Sequence, residues 1–378
     1  LVYSYNLCVK PKLNNLQVDI KEYKTPGNSS TPRYPVYDSS RNKIWVGDTT
    51  LNSGKILDFD LGTDKYTEHK IAGLNSVVYM ALDSHNTLWY IDYSRKILGH
   101  YNPDDNSNME YPIPNQDFLT SMAIDNNDTI WITSHSNDMI KFYTKTSKFD
   151  SIKLPDKSDP LGMTIDNTLG KVWIAEGIGK ISSLDISNNK VTEFMPSGNY
   201  TMKGPTGIIL DPQTGKIYIS EHDDQAVSVF DPLLKTFKKI QLDPNADNLP
   251  YGMAFDKYHN LWVAQHTFDK ISIIDPRTGD VKEESIPSSN TWVQWLTSDS
   301  QGNIIMAEER ANALAIATIA SGQTQNNQAV SQSAIPNFDF DYAQVMAPTI
   351  TGLLIVVAFF YCKGVVDTRK TLEHASKI

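Results

Sequence analysis

The feature that most constrains the fold is a short apolar segment that recurs seven times along the chain. The copies lie at 41–48, 86–92, 128–134, 170–176, 215–221, 259–265 and 302–308. Each contains one large apolar residue, and these residues are spaced by 44, 42, 42, 45, 44 and 43 positions: Trp45, Trp89, Trp131, Trp173, Tyr218, Trp262 and Ile305. Periods of about 40–45 residues with several short strands each are typical of propeller blades. The sequence therefore predicts an all-β fold, a seven-bladed β-propeller.

Every copy repeats one plan of four strands. A first strand ends at an aspartate, and we interpret this residue as turn chemistry because aspartate accepts hydrogen bonds from backbone two residues further on. The second strand is apolar on both faces, as burial between blades requires. The third and fourth strands follow, and the fourth is more polar. The aspartates are Asp38, Asp83, Asp125, Asp166, Asp211, Asp256 and Asp299.

The seventh copy lacks a fourth strand of its own. Strands predicted near 291–297, 303–308 and 313–319 are followed by Gln-, Ser- and Asn-rich chain, whereas 16–26 matches the fourth-strand pattern. An N-terminal strand that completes the last blade removes an open sheet edge. We therefore predict a propeller over 16–319 in which 16–26 complete the last blade, with an N-terminal lead over 1–15 and a polar linker over 320–345.

Near the C-terminus, the chain from Met346 to Cys362 carries no charge, and extension to Val366 admits only Lys363. A helix of about 20 apolar residues crosses the hydrocarbon core of a bilayer, whereas shorter runs are usually buried core. We predict a transmembrane helix over 346–366; a buried C-terminal helix is the alternative.

Charges on the two sides of this segment set the predicted orientation. Lys363, Arg369 and Lys370 follow it, whereas Asp339 and Asp341 precede it. The positive-inside rule places a tail over 367–378 in the cytoplasm and the propeller outside the cell membrane, as a single-pass protein. The sequons at Asn28, Asn127 and Asn199 agree with an exterior location. Since Leu1–Cys8 does not resemble a secretory signal, we expect the numbering to begin at a processed terminus.

Composition excludes two classes of function. The chain has 44 acidic and 34 basic residues, a net charge of −10, and no basic stripe for nucleic acid. Its two cysteines, Cys8 and Cys362, exclude a disulfide framework and a cysteine-based zinc site.

Acidic residues recur three positions after the repeated aromatic residue, and three histidines recur one position later. Equivalent positions in a ring of blades lie on one circle, so these side chains are predicted to gather near one mouth of the central channel. Such carboxylates would repel each other unless a cation or a basic partner neutralised them, and the set suits Ca²⁺, Mg²⁺ or, with imidazole, a transition metal. The alternative is a solvated acidic rim whose side chains bond neighbouring backbone. The predicted metal ligands are Asp48, Asp92, Glu176, Glu221 and Glu308; the histidines are His135, His222 and His266.

The stretch 160–196, P-L-G-M-T-I-D-N-T-L-G-K-V-W-I-A-E and onward, resembles the blade consensus of the virginiamycin B lyase (streptogramin lyase) family. Copies from Pro205 and Pro250 fit as well, and NHL-type and SMP-30-like propellers share the pattern. The resemblance implies a propeller and an Mg²⁺-dependent elimination that opens a lactone-closed peptide antibiotic through His, Glu and His. Here the residue after the blade-opening proline is Leu161, Thr206 or Tyr251, and Glu221 adjoins His222, whereas one residue separates the family pair.

Two functions remain open from the sequence. The first is a binding or scaffold module, an accessory subunit of a membrane or cell-surface complex whose partners are other membrane or surface proteins. No G-x-S-x-G, H-E-x-x-H or P-loop motif is present. The alternative is a metal-dependent C–O lyase or lactone hydrolase, with His135, His222 or His266 as base. Trp292 and Trp295 either line a groove or pack in the core.

Overall fold

The computed structural model describes residues 10–321 except 28–29, 53, 115–117 and 244–248, and not the side chain of Ser321. The chain divides into two units. Leu16–Ala320 is the propeller, and the other unit combines Leu1–Asn15 with Ser321–Ile378. In the second unit, the described residues include a 3₁₀ turn over Leu13–Asn15.

The propeller consists of seven four-stranded sheets, which confirms the predicted seven-bladed all-β fold. In blades 1 to 6 the strands follow chain order from the channel outward. Blades 1 and 2 contain β2 Pro32–Asp38, β3 Lys43–Asp48, β4 Lys55–Asp60, β5 Lys65–Lys70, β6 Val77–Leu82, β7 Leu88–Asp92, β8 Ile97–Asn102 and β9 Ser107–Pro112. Blades 3 and 4 contain β10 Leu119–Ile124, β11 Thr129–Ser134, β12 Asp138–Tyr143, β13 Lys148–Lys153, β14 Pro160–Asp166, β15 Lys171–Glu176, β16 Lys180–Asp185 and β17 Val191–Phe194. Blades 5 and 6 contain β18 Pro205–Leu210, β19 Ile217–Glu221, β20 Ala226–Asp231, β21 Thr236–Gln241, β22 Pro250–Phe255, β23 Leu261–Gln265, β24 Lys270–Ile274 and β25 Val281–Ser285.

Blade 7 is built from both ends of the propeller unit. Its order is β1-β28-β27-β26, with β1 at Leu16–Lys24, β26 at Val293–Ser298, β27 at Ile304–Glu308 and β28 at Ala313–Ser321. The amide of Thr25 donates to the carbonyl of Asn312 at 2.8 Å just beyond the pair. The N-terminal strand thus covers the edge that β28 would otherwise expose.

Antiparallel order gives the propeller two distinct faces. Second strands end, and first strands begin, at one face, which we call the mouth face; it carries the second-to-third turns and the connections between blades. The first-to-second and third-to-fourth turns lie at the other end of every sheet, which we call the turn face.

The repeated aspartates act in turns, as predicted, and also hold the core indoles. Asp38 accepts from the amide of Ser40 at 3.0 Å and from Nε1 of Trp45 at 3.2 Å. Asp83, Asp125 and Asp256 likewise accept from the indole Nε1 of Trp89, Trp131 and Trp262. Burial alone would raise the pKa of Asp38, but hydrogen bonds from Ser40, Arg41 and Trp45 lower it. In these four blades the aspartate therefore couples the first-strand turn to the aromatic core.

Every first strand carries a register shift just after its start, at the mouth face. In blades 4, 5 and 6 the residue there is Gly162, Gly207 or Gly252. A Cβ on these glycines would lie 2.3, 2.1 or 2.4 Å from a carbonyl oxygen of the next blade, so only glycine allows this approach.

Within the described part of the chain, no helix is long and apolar enough to cross a membrane. The predicted linker, span and tail over 322–378 lie outside the described residues.

Candidate functional site

First strands from all seven blades line a central channel that contains a cavity of about 480 Å³. Its wall is mainly apolar, with Val36, Leu82, Ile124 and Ile209 among the lining side chains. No charged side chain contributes to this wall among the described residues. The charged and imidazole side chains described below therefore lie outside this cavity, at the mouth of the ring.

Three aromatic side chains divide the channel from the mouth face. They occupy the register-shift position at which blades 4 to 6 have glycine: Tyr34 in blade 1, Tyr79 in blade 2 and Trp295 in blade 7. The ring centroid of Tyr34 lies 5.4 Å from that of Tyr79 and 5.0 Å from that of Trp295. Tyr34 has φ of 52°, an unfavourable value for a bulky residue. The strained backbone at Tyr34 therefore accompanies the placement of its ring in this partition.

A pocket of about 170 Å³ lies on the mouth side of this partition. Its wall is aromatic, aliphatic and hydroxyl-bearing, with one imidazole; the Nε1 of Trp295 is buried without a hydrogen-bond partner. We call it the mouth pocket. It is lined by Tyr79, Tyr93, Phe118, Leu119, Thr120, His135, Leu161, Thr206, Tyr251 and Trp295.

Two of the three predicted histidines lie side by side at this mouth. The imidazole centroids of His222 and His266 are 5.9 Å apart, and the ring of Tyr251 is 5.3 Å from that of His266. The amide Nε2 of Gln294 donates to Nε2 of His266 at 2.6 Å. Burial, with the neighbouring cations and His222, lowers the pKa of His266 to about 4, so this imidazole is neutral at pH 7.

The third histidine, His135, is held apart from the other two. Its Nδ1 lies 2.5 Å from a carboxylate oxygen of Asp159, and the side chain is about 42% exposed on the wall of the mouth pocket. The structure thus places all three histidines at one mouth but brings only His222 and His266 into contact.

An ion pair that the sequence did not predict borders the same mouth. The guanidinium Nε of Arg33 lies 3.3 Å from Oε1 of Glu309, and another guanidinium nitrogen donates to Gln294. Burial raises the pKa of Glu309 to about 7, although Arg33 and Arg310 oppose the shift. Arg310 itself lies over the ring of Trp292, 3.3 Å from its centroid.

Four of the five predicted metal-binding carboxylates are bonded within the protein. Asp48 accepts from the amides of Thr31 and Thr50 at 3.2 and 2.9 Å. Asp92 accepts from the amide of Asn75 at 2.7 Å and from Nε of Arg95 at 2.7 Å.

The two glutamates are held similarly. Glu176 accepts from Ser182 and lies 3.4 Å from the ammonium of Lys180. Glu221 accepts from the hydroxyls of Tyr200 and Ser228 at 2.7 and 2.6 Å. Three of these four carboxylates accept from a backbone amide, as the alternative prediction expected, but all four are buried, whereas that alternative expected a solvated rim.

Glu308 is the exception. Its side chain is fully buried, and neither carboxylate oxygen accepts a hydrogen bond. Burial, together with the neighbouring carboxylate of Glu22, raises its pKa to about 8. At pH 7 Glu308 is therefore mostly protonated, and a protonated carboxyl is a poor metal ligand.

The described residues contain no group of three or more histidine, cysteine, aspartate or glutamate side chains placed to share a metal ion. The donor set also fits a Mg²⁺ centre badly, because internal donors already occupy four of the five carboxylates. We therefore derive no step through a metal, and metal binding by these residues stays a prediction.

Sequence reasoning missed most of the mouth. Arg33, Tyr34, Tyr79 and Glu309 belonged to none of the motifs that the sequence analysis singled out. The signal that could have found them is the break in the glycine pattern at the first-strand bulge, where three blades carry a large ring instead. Trp295, left open between groove and core, does line the mouth pocket.

No family model matches the chain, and no curated protein matches it in sequence. Its fold class, a seven-bladed β-propeller, is shared with solved structures. A streptogramin B lyase aligns with a TM-score of 0.70 and 17% identity over 80% of this chain and 98% of its own. The virginiamycin B lyase from Staphylococcus aureus aligns with a TM-score of 0.70, 18% identity and 80% and 99% coverage. A catalytically inactive form of that enzyme with quinupristin gives 0.69, 18%, 80% and 99%. At this identity the likeness establishes the fold alone.

Proposed function

We propose that this chain is a binding module that captures a partner protein at its mouth face, and that it is an accessory subunit held outside a cell membrane. The observation that carries the proposal is the mouth pocket itself. It presents aromatic rings and hydroxyls, and four of the five carboxylates on the predicted circle already have donors or a cation within the protein. Such a surface suits recognition better than metal-assisted chemistry.

The size of the pocket indicates the kind of partner. Sites for whole small molecules usually enclose about 300–1,000 Å³, whereas the mouth pocket encloses about 170 Å³. That volume suits one protruding side chain, and interfaces are commonly anchored by a single aromatic or aliphatic residue in such a pocket. Phe118 at the rim is 68% exposed and offers further apolar contact.

The membrane location in this proposal rests on the sequence of 346–366 and on its flanking charges. It places the propeller as a rigid disc outside the cell, with surface or membrane proteins as partners.

A second candidate function, a lyase or lactone hydrolase, is favoured by one observation. His222 and His266 lie in contact on the mouth of a fold shared with streptogramin lyases. However, His266 is a weak base because burial lowers its pKa to about 4, which leaves His222 as the better candidate for proton abstraction.

Site-specific photo-crosslinking in native membranes tests the binding proposal. A photoreactive residue at Phe118, at the mouth pocket, should give a discrete adduct, and Tyr251→Ala in the same chain should abolish it. The control is the same residue at Met109, which is 50% exposed on the outer strand of blade 2. Equal adducts from both sites, or none from Phe118, would refute a partner at the mouth.

An activity assay and a metal assay on purified protein test the second candidate function. Opening of a lactone-closed peptide that requires His222 and added divalent metal would establish enzyme activity. Stoichiometric metal lost in Glu176→Gln and Glu221→Gln would support the cation site as well. Neither result is expected if the mouth is purely a recognition surface.

A further inference from the structure

The most exposed large apolar residues of the described chain lie on the turn face, opposite the mouth pocket. Leu233 and Leu234 form the tip of the third-to-fourth turn of blade 5, and they are 84% and 72% exposed. Lys235 follows them directly and is also exposed. A tight turn that holds two leucines in water needs a reason, because such tips are usually polar.

Internal symmetry places a third leucine beside them. Between blades 1 and 2, Arg41 in a first-to-second turn binds Asp104 in the adjacent third-to-fourth turn at 2.8 Å. Each lies at a fixed place in its turn: Arg41 is three residues after Asp38, and Asp104 two after Asn102. Between blades 4 and 5 the same two places hold Leu169 and Leu233. An ion pair has thus been replaced by an apolar pair, and Leu169 is 48% exposed.

Charge on this face is divided between its two halves. In or directly beside the turns of blades 3 to 6, the exposed charged residues are mainly basic, namely Lys145, Lys148, Lys190, Lys235, Lys257 and Arg277, against the acid Asp280. In or directly beside the turns of blades 1 and 2, they are mainly the acids Asp64, Asp104 and Asp105, against Lys65. Because the whole chain has a net charge of −10, a basic half-face around exposed leucines is a local concentration of positive charge.

The path of the chain adds an independent argument. Strand β28 begins at the mouth face and ends on the turn face, so the described part of the chain ends at the turn face. The sequence predicts a polar linker over 320–345 and a membrane span after this point. A membrane span at 346–366 would therefore tether the turn face, rather than the mouth face, near the bilayer.

We propose that the leucine tip of blades 4 and 5, namely Leu169, Leu233 and Leu234, inserts into the surface of an anionic lipid bilayer, with the surrounding lysines on the phosphate groups. Apolar side chains at an interface and nearby lysines add their contributions to such binding. An exposed turn tip with Lys235 beside it and further lysines in the neighbouring turns fits a lipid surface better than a protein pocket. The inference rests on the membrane location in the proposed function, and it leaves the mouth pocket free for a partner.

The full chain reconstituted in vesicles tests this contact. In a background in which Cys8 and Cys362 are replaced by serine, an environment-sensitive dye is attached through Leu234→Cys or, as matched control, through Asp105→Cys on the acidic half. Vesicles contain phosphatidylcholine with or without phosphatidylglycerol, and nitroxide-labelled lipids serve as quenchers. We expect a blue shift and quenching for the dye at 234 in anionic vesicles, and neither for the dye at 105.

Lys235→Glu in the dye-labelled chain should reduce that quenching without changing the melting temperature. Equal quenching at both positions, equal quenching in neutral vesicles, or none at 234 in chains that float with vesicles would overturn the lipid contact alone. Chains that fail to float would overturn both this contact and the membrane location. A shift at 234 that requires added membrane proteins would identify a protein partner instead and overturn the proposal.

Discussion

Blades 4 and 7 share one strand plan but treat the same buried carboxylate in opposite ways. In blade 4, Lys180 lies between Glu176 and Glu193 and contacts both, and Ser182 donates to Glu176. Blade 7 pairs Glu308 with Ala313 in the register at which blade 4 pairs Glu176 with Lys180. It also has Ala315 at the position of Ser182, so Glu308 has neither a cation nor a hydroxyl.

Other blades follow blade 4. In blade 2, Arg95 binds Asp92 at 2.7 Å and Glu110 at 2.5 Å. In blade 1, Lys55 lies 2.9 Å from Glu68 and 4.0 Å from Asp48. Burial raises the pKa of both Glu176 and Glu308, but in blade 4 Ser182 and Lys180 oppose the shift, whereas in blade 7 the neighbouring Glu22 adds to it and the pKa reaches about 8. The repeat places a carboxylate at the same position in these blades, while the neighbouring side chains determine how strongly its pKa is shifted.

The largest effect should come from removing the strand that makes blade 7 different. Deletion of 16–24 leaves β28 as an open edge and uncovers one side of the sheet, so we expect loss of a single cooperative unfolding transition and formation of aggregates. Calorimetry with size-exclusion chromatography measures both. A chain that lacks only 1–9 retains the strand and is the control; identical melting of the two deletions would contradict closure by β1.

Breaking the cation bridge in blade 4 should make it resemble blade 7. Lys180→Met leaves Glu176 buried without its ammonium, and we expect a loss of about 2–4 kcal/mol in the free energy of unfolding at pH 7. Denaturant titration measures the loss, and Lys180→Arg should keep most of the stability. If Lys180→Met were neutral, the bridge would have no stabilising role.

The proton on Glu308 predicts the pH dependence of blade 7. Its pKa is about 8 in the folded chain, against about 4.3 in an unfolded chain, so the folded state binds the extra proton. Stability should therefore fall as pH rises from about 4 to 8 and level off above that, by at most a few kcal/mol. In Glu308→Gln this component should disappear, which raises the melting temperature at pH 9 relative to the parent and changes little at pH 5. The same gain in Glu176→Gln would show that blade 7 is not special.

The smallest effect should come from restoring a hydroxyl. Ala315→Ser places a donor where Ser182 bonds Glu176, and we expect a gain of about 0.5–1 kcal/mol at pH 9, when Glu308 is ionised. Ser182→Ala is the reciprocal variant and should cost a similar amount. A loss of stability in Ala315→Ser at every pH would indicate that blade 7 has no room for the hydroxyl.

Particular residues show how far sequence reasoning reached. The blade boundaries followed from local patterns, and the third strand predicted at 180–185 is β16, Lys180–Asp185. Asp38 was correctly interpreted as a turn residue, although its hydrogen bond to Trp45 was not foreseen. The sequence located the circle of carboxylates but did not predict which groups bind them, because Glu176 and Glu308 differ only in the residues that neighbouring strands place beside them. The mouth was foreseen as a place where histidines meet, yet only His222 and His266 are in contact.

By itself, the sequence determined the number of blades, the order of strands and the need for a strand from the N-terminus, because period and polarity are properties of consecutive residues. Tertiary structure alone decided which carboxylates have donors or cations beside them and which aromatic rings and histidines lie together at the mouth. Those outcomes depend on distances between side chains far apart in the chain, and no local pattern encodes the dielectric surroundings or the neighbouring charge that each group meets.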